Sequence, residues 1–152
     1  MEIWDIGHST RTEQEFIVLL RKNRIEAVAD VRRFPSSKKF PHFGKEHLAK
    51  VLRNNSIDYL WIGEKLGGFR KGGYENWVKT DEFASGISQL EDIAREKRTV
   101  FMCAEADFAR CHRKFIIKSL ELKGWTVHHI SSLSKPNDPF LTSPLFSDKE
   151  GA

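Results

Sequence analysis

The sequence "TVFMCAEADFARCHRKFIIKSLELKG", residues 99–124, holds the pattern that decides the fold. It opens with a short apolar run that is typical of a buried strand. After a polar stretch it continues with apolar residues three and four positions apart, which predicts a helix. A buried strand followed by a helix is the repeating unit of a parallel sheet, because parallel neighbours need a crossover connection. The stretch therefore predicts an α/β architecture.

The same alternation runs along most of the chain. Helical patterns lie between the strand-like runs; the first has a capping box formed by Thr12 and Glu15, and the third begins at Thr80 or Asp81. The glycine-rich segment 64–77 is predicted as a long loop. Alternating units of this kind build a three-layer α/β domain with a mainly parallel five-stranded sheet and helices on both faces. The predicted strands are residues 2–9, 25–32, 57–63, 99–105 and 125–132.

Length and composition set the context for this fold. The chain of 152 residues is long enough for one ordinary core, and we predict a single α/β domain over 1–132 and an irregular tail over 133–152. It enters an apolar run at Ile3 without a charged leader and has no long apolar segment, so neither a secretory signal nor a membrane partner is expected. The two cysteines, Cys103 and Cys111, fit reduced thiols. These features predict a cytoplasmic location.

Polar residues and glycines follow four of the five predicted strands. In open α/β sheets, ligands bind outside the carboxyl ends of the strands, where the connecting loops diverge. Because parallel strands end at one edge, we expect these side chains to converge on a single cleft. They are His8 and Ser9 after the first strand, Asp30 and Arg32 after the second, Gly67 and Gly68 beyond the third, and Cys103 and Glu105 after the fourth.

Five short motifs in order give the chain a family resemblance over roughly residues 1–132. It resembles the bacterial and archaeal "domain of unknown function 488" proteins. That family is named for the lack of an assigned reaction, so the resemblance implies no particular chemistry. The motifs are Gly7-His8-Ser9, Asp30-Val31-Arg32 with Pro35 and Ser37, Leu66-Gly67-Gly68, Met102-Cys103-Ala104-Glu105 and Cys111-His112-Arg113.

A cysteine at a strand end and ahead of a helix can be reactive, because the helix N-terminus stabilises the thiolate. In this respect the chain distantly resembles the rhodanese and cysteine-phosphatase pattern, in which a "DVR" strand precedes a strand, a cysteine loop, an arginine and a helix. By position, the resemblance implies Cys103 as the nucleophile and Arg110 as the anion-binding arginine. The six residues between them and the acids Glu105 and Asp107 disfavour phosphate-monoester cleavage and leave persulfide chemistry open.

Arg113 falls within an apolar stripe of the predicted helix if Asp107 is its N-cap. A cation in such surroundings needs a carboxylate partner, because an unpaired buried charge is costly. Asp30 and Glu105 are the candidates. A second apolar strip on this helix would need cover from the tail or from another subunit, so a homo-oligomer stays open. That strip consists of Cys111, Phe115 and Leu122.

The cysteines also allow a metal site or a redox pair to be considered. Cys103, Cys111 and His112, with His8 or Glu105, are ligand types that suit zinc, but their spacing lacks the close cysteine pair of structural zinc sites. We therefore predict no metal site, and no cofactor can be identified from the residues. Two cysteines could form a redox pair, although seven intervening residues differ from the usual C-x-x-C arrangement. Cys111 on its own is more typical of a small buried apolar residue.

Two loops combine cations with aromatic rings. The segment 32–50 has six Lys or Arg residues against one acid, so it carries a net charge of +5, and the segment 69–79 repeats the theme. This composition is typical of binding to nucleic acids or nucleotides, with rings for base stacking and cations for phosphates. The same aromatic residues could instead pin the loops to the body of the domain.

Two function classes follow. The first is a small enzyme that acts on a small anionic or nucleotide-like ligand at the carboxyl edge, with Cys103 as nucleophile. The alternative is a nucleic-acid or nucleotide binding module that uses loops 32–50 and 69–79. The candidate catalytic residues are Cys103, Glu105, Asp30 and His8, and the candidate ligand-binding residues are Ser9, Arg32, Gly67, Gly68, Arg110, His112 and Arg113.

Overall fold

The computed structural model describes residues 1–36 and 38–131, with Ala109 described by its backbone alone. Five strands form a single sheet in the order β3-β2-β4-β1-β5, and every pair of neighbours is parallel. The predicted five-stranded sheet is therefore confirmed. The elements are β1 Glu2–Gly7, α1 Glu13–Lys22, β2 Ala27–Asp30, α2 Lys45–Asn54, β3 Asp58–Trp61, α3 Gly63–Leu66, α4 Tyr74–Trp77, α5 Asp81–Glu96, β4 Thr99–Cys103, α6 Arg113–Leu122 and β5 Thr126–Ile130, with 3-10 turns at Pro41–Phe43 and Phe108–Arg110.

The helices cover both faces of the sheet, as predicted. On one face, α5 and α6 pack with α3 against apolar side chains of the central strands. On the other face, α1 and α2 pack with the turn that contains Phe43. The central strands β2 and β4 are buried along their whole lengths, because both of their faces are covered. The result is a three-layer α/β domain.

Local sequence signals set where two of the helices begin. The Thr12 hydroxyl accepts a hydrogen bond from the backbone N–H of Glu15 at 3.0 Å, and the Glu15 carboxylate accepts one from the Thr12 N–H at 2.8 Å. This is the predicted capping box, which satisfies two donors that the first turn leaves free. The hydroxyl of Thr80 caps α5 by accepting from the Phe83 N–H at 3.2 Å. Both predicted starting points are confirmed.

The segment 64–77 is more regular than the sequence predicts, because it contains most of the short helix α3 and all of α4. Gly63 explains why α3 can form there. A Cβ atom at Gly63 would lie 1.8 Å from the Arg32 carbonyl oxygen, so only glycine allows the chain to pass so close to the loop after β2. This contact fixes the third strand end beside the second.

The start of α6 differs from the prediction. Asp107 is not the N-cap; a 3-10 turn at Phe108–Arg110 follows it, and α6 begins at Arg113 with His112 as N-cap. The chain therefore folds back on itself between β4 and α6 instead of entering the helix directly. The predicted tail over 133–152, which was one candidate cover for the second apolar strip of this helix, lies outside the described residues. Leu122 of that strip is exposed.

Candidate functional site

A cleft of about 840 Å³ opens at the carboxyl edge of the sheet. Its volume lies in the range of small-molecule binding sites. The segments after β1, β2 and β4, the loop around Gly68 and the start of α6 form its walls. Eight of the eleven candidate residues line the cleft: His8, Ser9, Arg32, Gly68, Cys103, Glu105, Arg110 and His112.

Close contacts between strand ends hold this edge together. Gly7 pairs with Cys103 in the sheet register, and beyond the strands the backbone N–H of His8 donates to the Cys103 carbonyl at 2.9 Å. A Cβ atom at Gly7 would lie 1.8 Å from the carbonyl oxygen of Glu105. Glycine is therefore required here for the loop after β4 to lie against the end of β1.

The two cysteines meet at the floor of the cleft. Cys103 ends β4, Cys111 lies just before α6, and their Sγ atoms are 2.8 Å apart. Both residues line the cleft; Cys103 is 1% exposed and Cys111 is 9% exposed, so Cys111 is the more accessible of the two. From the sequence, Cys111 was expected to be a small buried apolar residue. It is buried, as expected, and the fold-back between β4 and α6 also places its sulfur against that of Cys103.

The two thiols differ in the groups that surround them. The Cys111 sulfur accepts from the Arg113 backbone N–H at 3.4 Å and lies 3.6 Å from Nδ1 of His112. The hydrogen bond from the Cys103 thiol is the largest of the effects that lower the pKa of Cys111. His112 and the Arg113 backbone N–H lower it further. Burial raises the pKa of Cys103, and its sulfur lies 3.5 Å from the Glu105 carbonyl oxygen. Cys111 is therefore the thiol of the pair that loses its proton more readily, and Cys103 is the one that keeps it.

The imidazole of His112 is held in place from the opposite side. Its Nε2 donates to the carbonyl oxygen of Val31 at 3.1 Å, which leaves Nδ1 facing the Cys111 sulfur. Gly68 lies against the same ring, since a Cβ atom there would be 3.2 Å from Nδ1. A cysteine beside an oriented histidine is a common arrangement for activating a thiol.

Arg113 is 1% exposed and does not line the cleft. Its Nη1 donates to the carboxylate of Asp5 at 2.7 Å, and its Nη2 donates to the carbonyl oxygens of Glu105 and Ala106 at 2.7 and 3.0 Å. The need for a carboxylate was predicted correctly, but neither Asp30 nor the Glu105 side chain supplies it. By binding these carbonyl groups, Arg113 fixes the loop after β4.

Asp5 was missed as a site residue, although the sequence contained a signal for it. It is the one charged residue inside the buried part of β1, and a buried acid in a strand requires a partner. Its second carboxylate oxygen contacts Nδ1 of His129. Burial raises the pKa of Asp5, and the Arg113 guanidinium acts in the opposite direction.

Asp30 lies beneath the cleft and does not line it. It is fully buried, and its oxygens accept from Nε and Nη2 of Arg32 at 2.9 and 2.7 Å and from the Tyr59 hydroxyl at 2.5 Å. Arg32 uses its remaining Nη1 on the Phe43 carbonyl at 2.7 Å. The pair therefore forms a rigid wall. Gly67 also stays below the surface of the cleft, with its backbone packed against Arg33.

His8 contributes a neutral ring to this wall. It stacks on Phe43 with 4.3 Å between ring centroids, and its Nδ1 donates to the Ser9 carbonyl at 3.0 Å. Burial, assisted by the nearby Arg32 guanidinium, lowers the pKa of His8 to about 4. The ring is therefore uncharged near neutral pH, and its Nε2 faces Nη1 of Arg32 at 3.4 Å.

Charge and aromatic surface distinguish the rim of the cleft from its floor. Besides the paired Arg32, four cations line the cleft against a single acid, Glu105. Phe34 and Phe69 stand at the rim, 63% and 84% exposed, with their centroids 6.0 Å apart. A second, open cavity of about 580 Å³ shares Phe34 with this cleft. The four cations are Arg33, Lys39, Arg110 and Lys114.

In residues 1–36 and 38–131, no three His, Cys, Asp or Glu side chains gather in a way that could hold a metal ion. Over the same residues, no helix is both long and apolar enough to cross a membrane.

The comparisons with known proteins give one match. The family model described as "Domain of unknown function DUF488" matches residues 12–120, a range that includes Asp30, both cysteines and His112. No curated protein and no solved structure matches the chain. Since the match covers well over half of the sequence, the chain belongs to the DUF488 family.

Proposed function

We propose that this protein is a small thiol-dependent enzyme that acts on an anionic or nucleotide-like ligand in the cleft at the carboxyl edge. The observation that carries the proposal is the pair of sulfurs 2.8 Å apart at the floor of that cleft. Thiols that merely fill a core need neither an oriented histidine nor a cationic rim above them. Here both features occur around the same pair.

Cys111, rather than Cys103, is the nucleophile in this proposal. Cys111 is the more exposed of the two residues, and three neighbouring groups favour its thiolate form. Cys103 keeps the proton of the pair and lies deeper. This assignment moves the nucleophile eight residues along the chain from Cys103, which the sequence favoured, and keeps both cysteines in the reaction.

The remaining candidate residues bind and orient. Arg110 and Lys114 line the cleft and lie close to Cys111 along the chain. A negatively charged ligand would be attracted to them. Asp30, Arg32 and His8 form the rigid wall already described and act as positioning residues. The Glu105 carboxylate is the one acidic side chain among the residues that line the cleft, so it is the candidate for proton transfer.

Alkylation of the folded protein tests the assignment of the nucleophile. Iodoacetamide should label Cys111 with a rate that changes by less than about threefold between about pH 5.5 and 7.5, whereas the rate for free glutathione should change about a hundredfold. Cys103→Ser should keep the label and Cys111→Ser should lose it. In urea, the alkylation rates of both thiols should show the ordinary pH dependence of a free cysteine. A native Cys111 that stays unlabelled, or a faster reaction at Cys103, would refute the proposal.

A second candidate function rests on the exposed rings at the rim. Phe69 is 84% exposed and has a φ of +60°, a backbone conformation that is unfavourable for a bulky residue. Arg33 holds it there by donating to its carbonyl at 2.5 Å. Two exposed rings beside cations suit base stacking with phosphate binding. Loops 32–50 and 69–79 would then bind single-stranded nucleic acid, and Phe69→Ser should weaken the binding of a fluorescent oligonucleotide.

A further inference from the structure

We infer that the cysteine pair carries out dithiol–disulfide exchange with a small organic disulfide that bears negative charge, with Cys111 attacking and Cys103 resolving. This inference rests on the proposed function, because it requires Cys111 to be the nucleophile. It adds the substrate class and a role for the second thiol. The observation behind it is that each sulfur is the nearest polar neighbour of the other at 2.8 Å.

The geometry allows the bond between the two cysteines to form with little movement. A disulfide bond is about 2.05 Å long, so the sulfurs must approach each other by less than 1 Å from their 2.8 Å separation. Cys103 is anchored in a buried strand, but Cys111 lies in the turn between the 3-10 turn and α6, where its N–H donates to the Phe108 carbonyl at 3.3 Å. The turn can take up the small shift.

The chemistry proceeds in two balanced steps. The Cys111 thiolate attacks one sulfur of the substrate; the substrate S–S bond breaks, and one half leaves as a thiolate that takes a proton from water. Cys103 then gives up its proton and attacks the Cys111 sulfur. The second half of the substrate leaves with that proton as a thiol. The protein dithiol has lost two electrons and the substrate disulfide has gained them, and an external thiol restores the dithiol by the reverse sequence.

The shape and charge of the cleft select among disulfides. A cavity of about 840 Å³ is far larger than a peroxide needs, and it fits an organic molecule with several polar groups. The four rim cations oppose one acid, so carboxylate-bearing disulfides should be preferred over amine-bearing ones. Both cysteines line the cleft, and Cys111 is the more exposed of the two. This arrangement orders the two steps.

The experiment uses the reduced full chain and two small disulfides of opposite charge, oxidised glutathione and cystamine. By intact mass spectrometry, the wild type should end as the internal disulfide, Cys103→Ser should stop at a glutathione adduct, and Cys111→Ser should not react. The rate of reaction with oxidised glutathione, divided by the rate with cystamine, should be higher for the protein than for free cysteine. The double variant Arg110→Gln, Lys114→Gln should lower that preference about fivefold.

The outcomes separate this inference from the proposed function. If Cys111 is alkylated rapidly but the wild type accumulates the adduct without closing the internal bond, the resolving role of Cys103 is wrong and the thiol enzyme stands. If neither disulfide reacts with a rapidly alkylated protein, the substrate class is wrong. If Cys111 is not alkylated in the folded protein, both the disulfide-exchange inference and the proposed function are wrong. Near-ultraviolet circular dichroism verifies folding, and Cys103→Ala replaces Cys103→Ser if the serine variant does not fold.

Discussion

Replacing Arg113 with methionine should strongly destabilise this protein while hardly changing the volume of the side chain. The guanidinium makes three charge-assisted hydrogen bonds inside the fold, one to Asp5 and two to backbone carbonyl groups. Methionine removes all three. It leaves the Asp5 carboxylate buried with His129 as its remaining partner, and it frees the loop after β4 from its anchor.

The magnitude follows from the burial of both partners, whose side chains are 1% and 2% exposed. Removing one member of a buried ion pair costs about 3–5 kcal/mol, because the other charge is left without compensation. A domain of this kind has a total stability of about 5–15 kcal/mol. With a urea dependence of about 2 kcal/mol per molar, the unfolding midpoint should fall by about 2 M.

Equilibrium unfolding in urea measures the effect, and the chain offers a matched control. Arg110 is three residues earlier and 80% exposed in its side chain, so Arg110→Met should change the free energy of unfolding by less than about 0.5 kcal/mol. The double variant Asp5→Asn, Arg113→Met should be more stable than the sum of the single changes implies, since it leaves no buried charge. A loss below about 1 kcal/mol for Arg113→Met would refute the account of this ion pair.

Three further predictions concern the cleft. Since the folded protein keeps His8 neutral to about pH 4 while the unfolded chain takes up a proton near its ordinary pKa, stability should decrease by about 3 kcal/mol as the pH falls from about 6.5 to about 4. His8→Gln should remove this slope in urea titrations at several pH values, and an unchanged slope would exclude His8 as its source. Gly7→Ala should displace the cysteine loop and reduce the alkylation rate of the folded protein; an alanine variant with native stability and rate would show that the contact is not required. If the loops bind single-stranded nucleic acid, neutralising Arg33, Lys38 and Lys39 together should lower the slope of log affinity against log salt by about 2, as measured by fluorescence anisotropy, whereas an unchanged slope would place the phosphates elsewhere.

Much of the fold could be predicted from local patterns, because hydrophobic period and capping act over a few residues. The five strands, the capping box at Thr12 and the start of α5 at Thr80 are of this kind. The placement of polar residues at one edge of the sheet could also be predicted, since it depends only on the strands being parallel. Because the strands are parallel as predicted, most candidate residues lie in one cleft.

The partners inside that cleft could not be predicted in the same way. Cys111 reaches Cys103 because a 3-10 turn reverses the chain, and nothing in the polar stretch specifies that turn over the helix start at Asp107. The partner of Arg113 is Asp5, which is 108 residues away along the chain. Such pairings depend on how strands are ordered in the sheet. A pattern of alternating strands and helices does not specify that order.

The position of β1 in the sheet has a consequence for how the chain folds during synthesis. Although β1 precedes the other four strands along the chain, it lies between β4 and β5, and neither of its edges can pair in the sheet before β4 is made. At about 5–20 residues per second, the ribosome needs several seconds to deliver β4 after β1. During that time the backbone N–H and C=O groups along both edges of β1 are unpaired and open to chaperones or to other nascent chains.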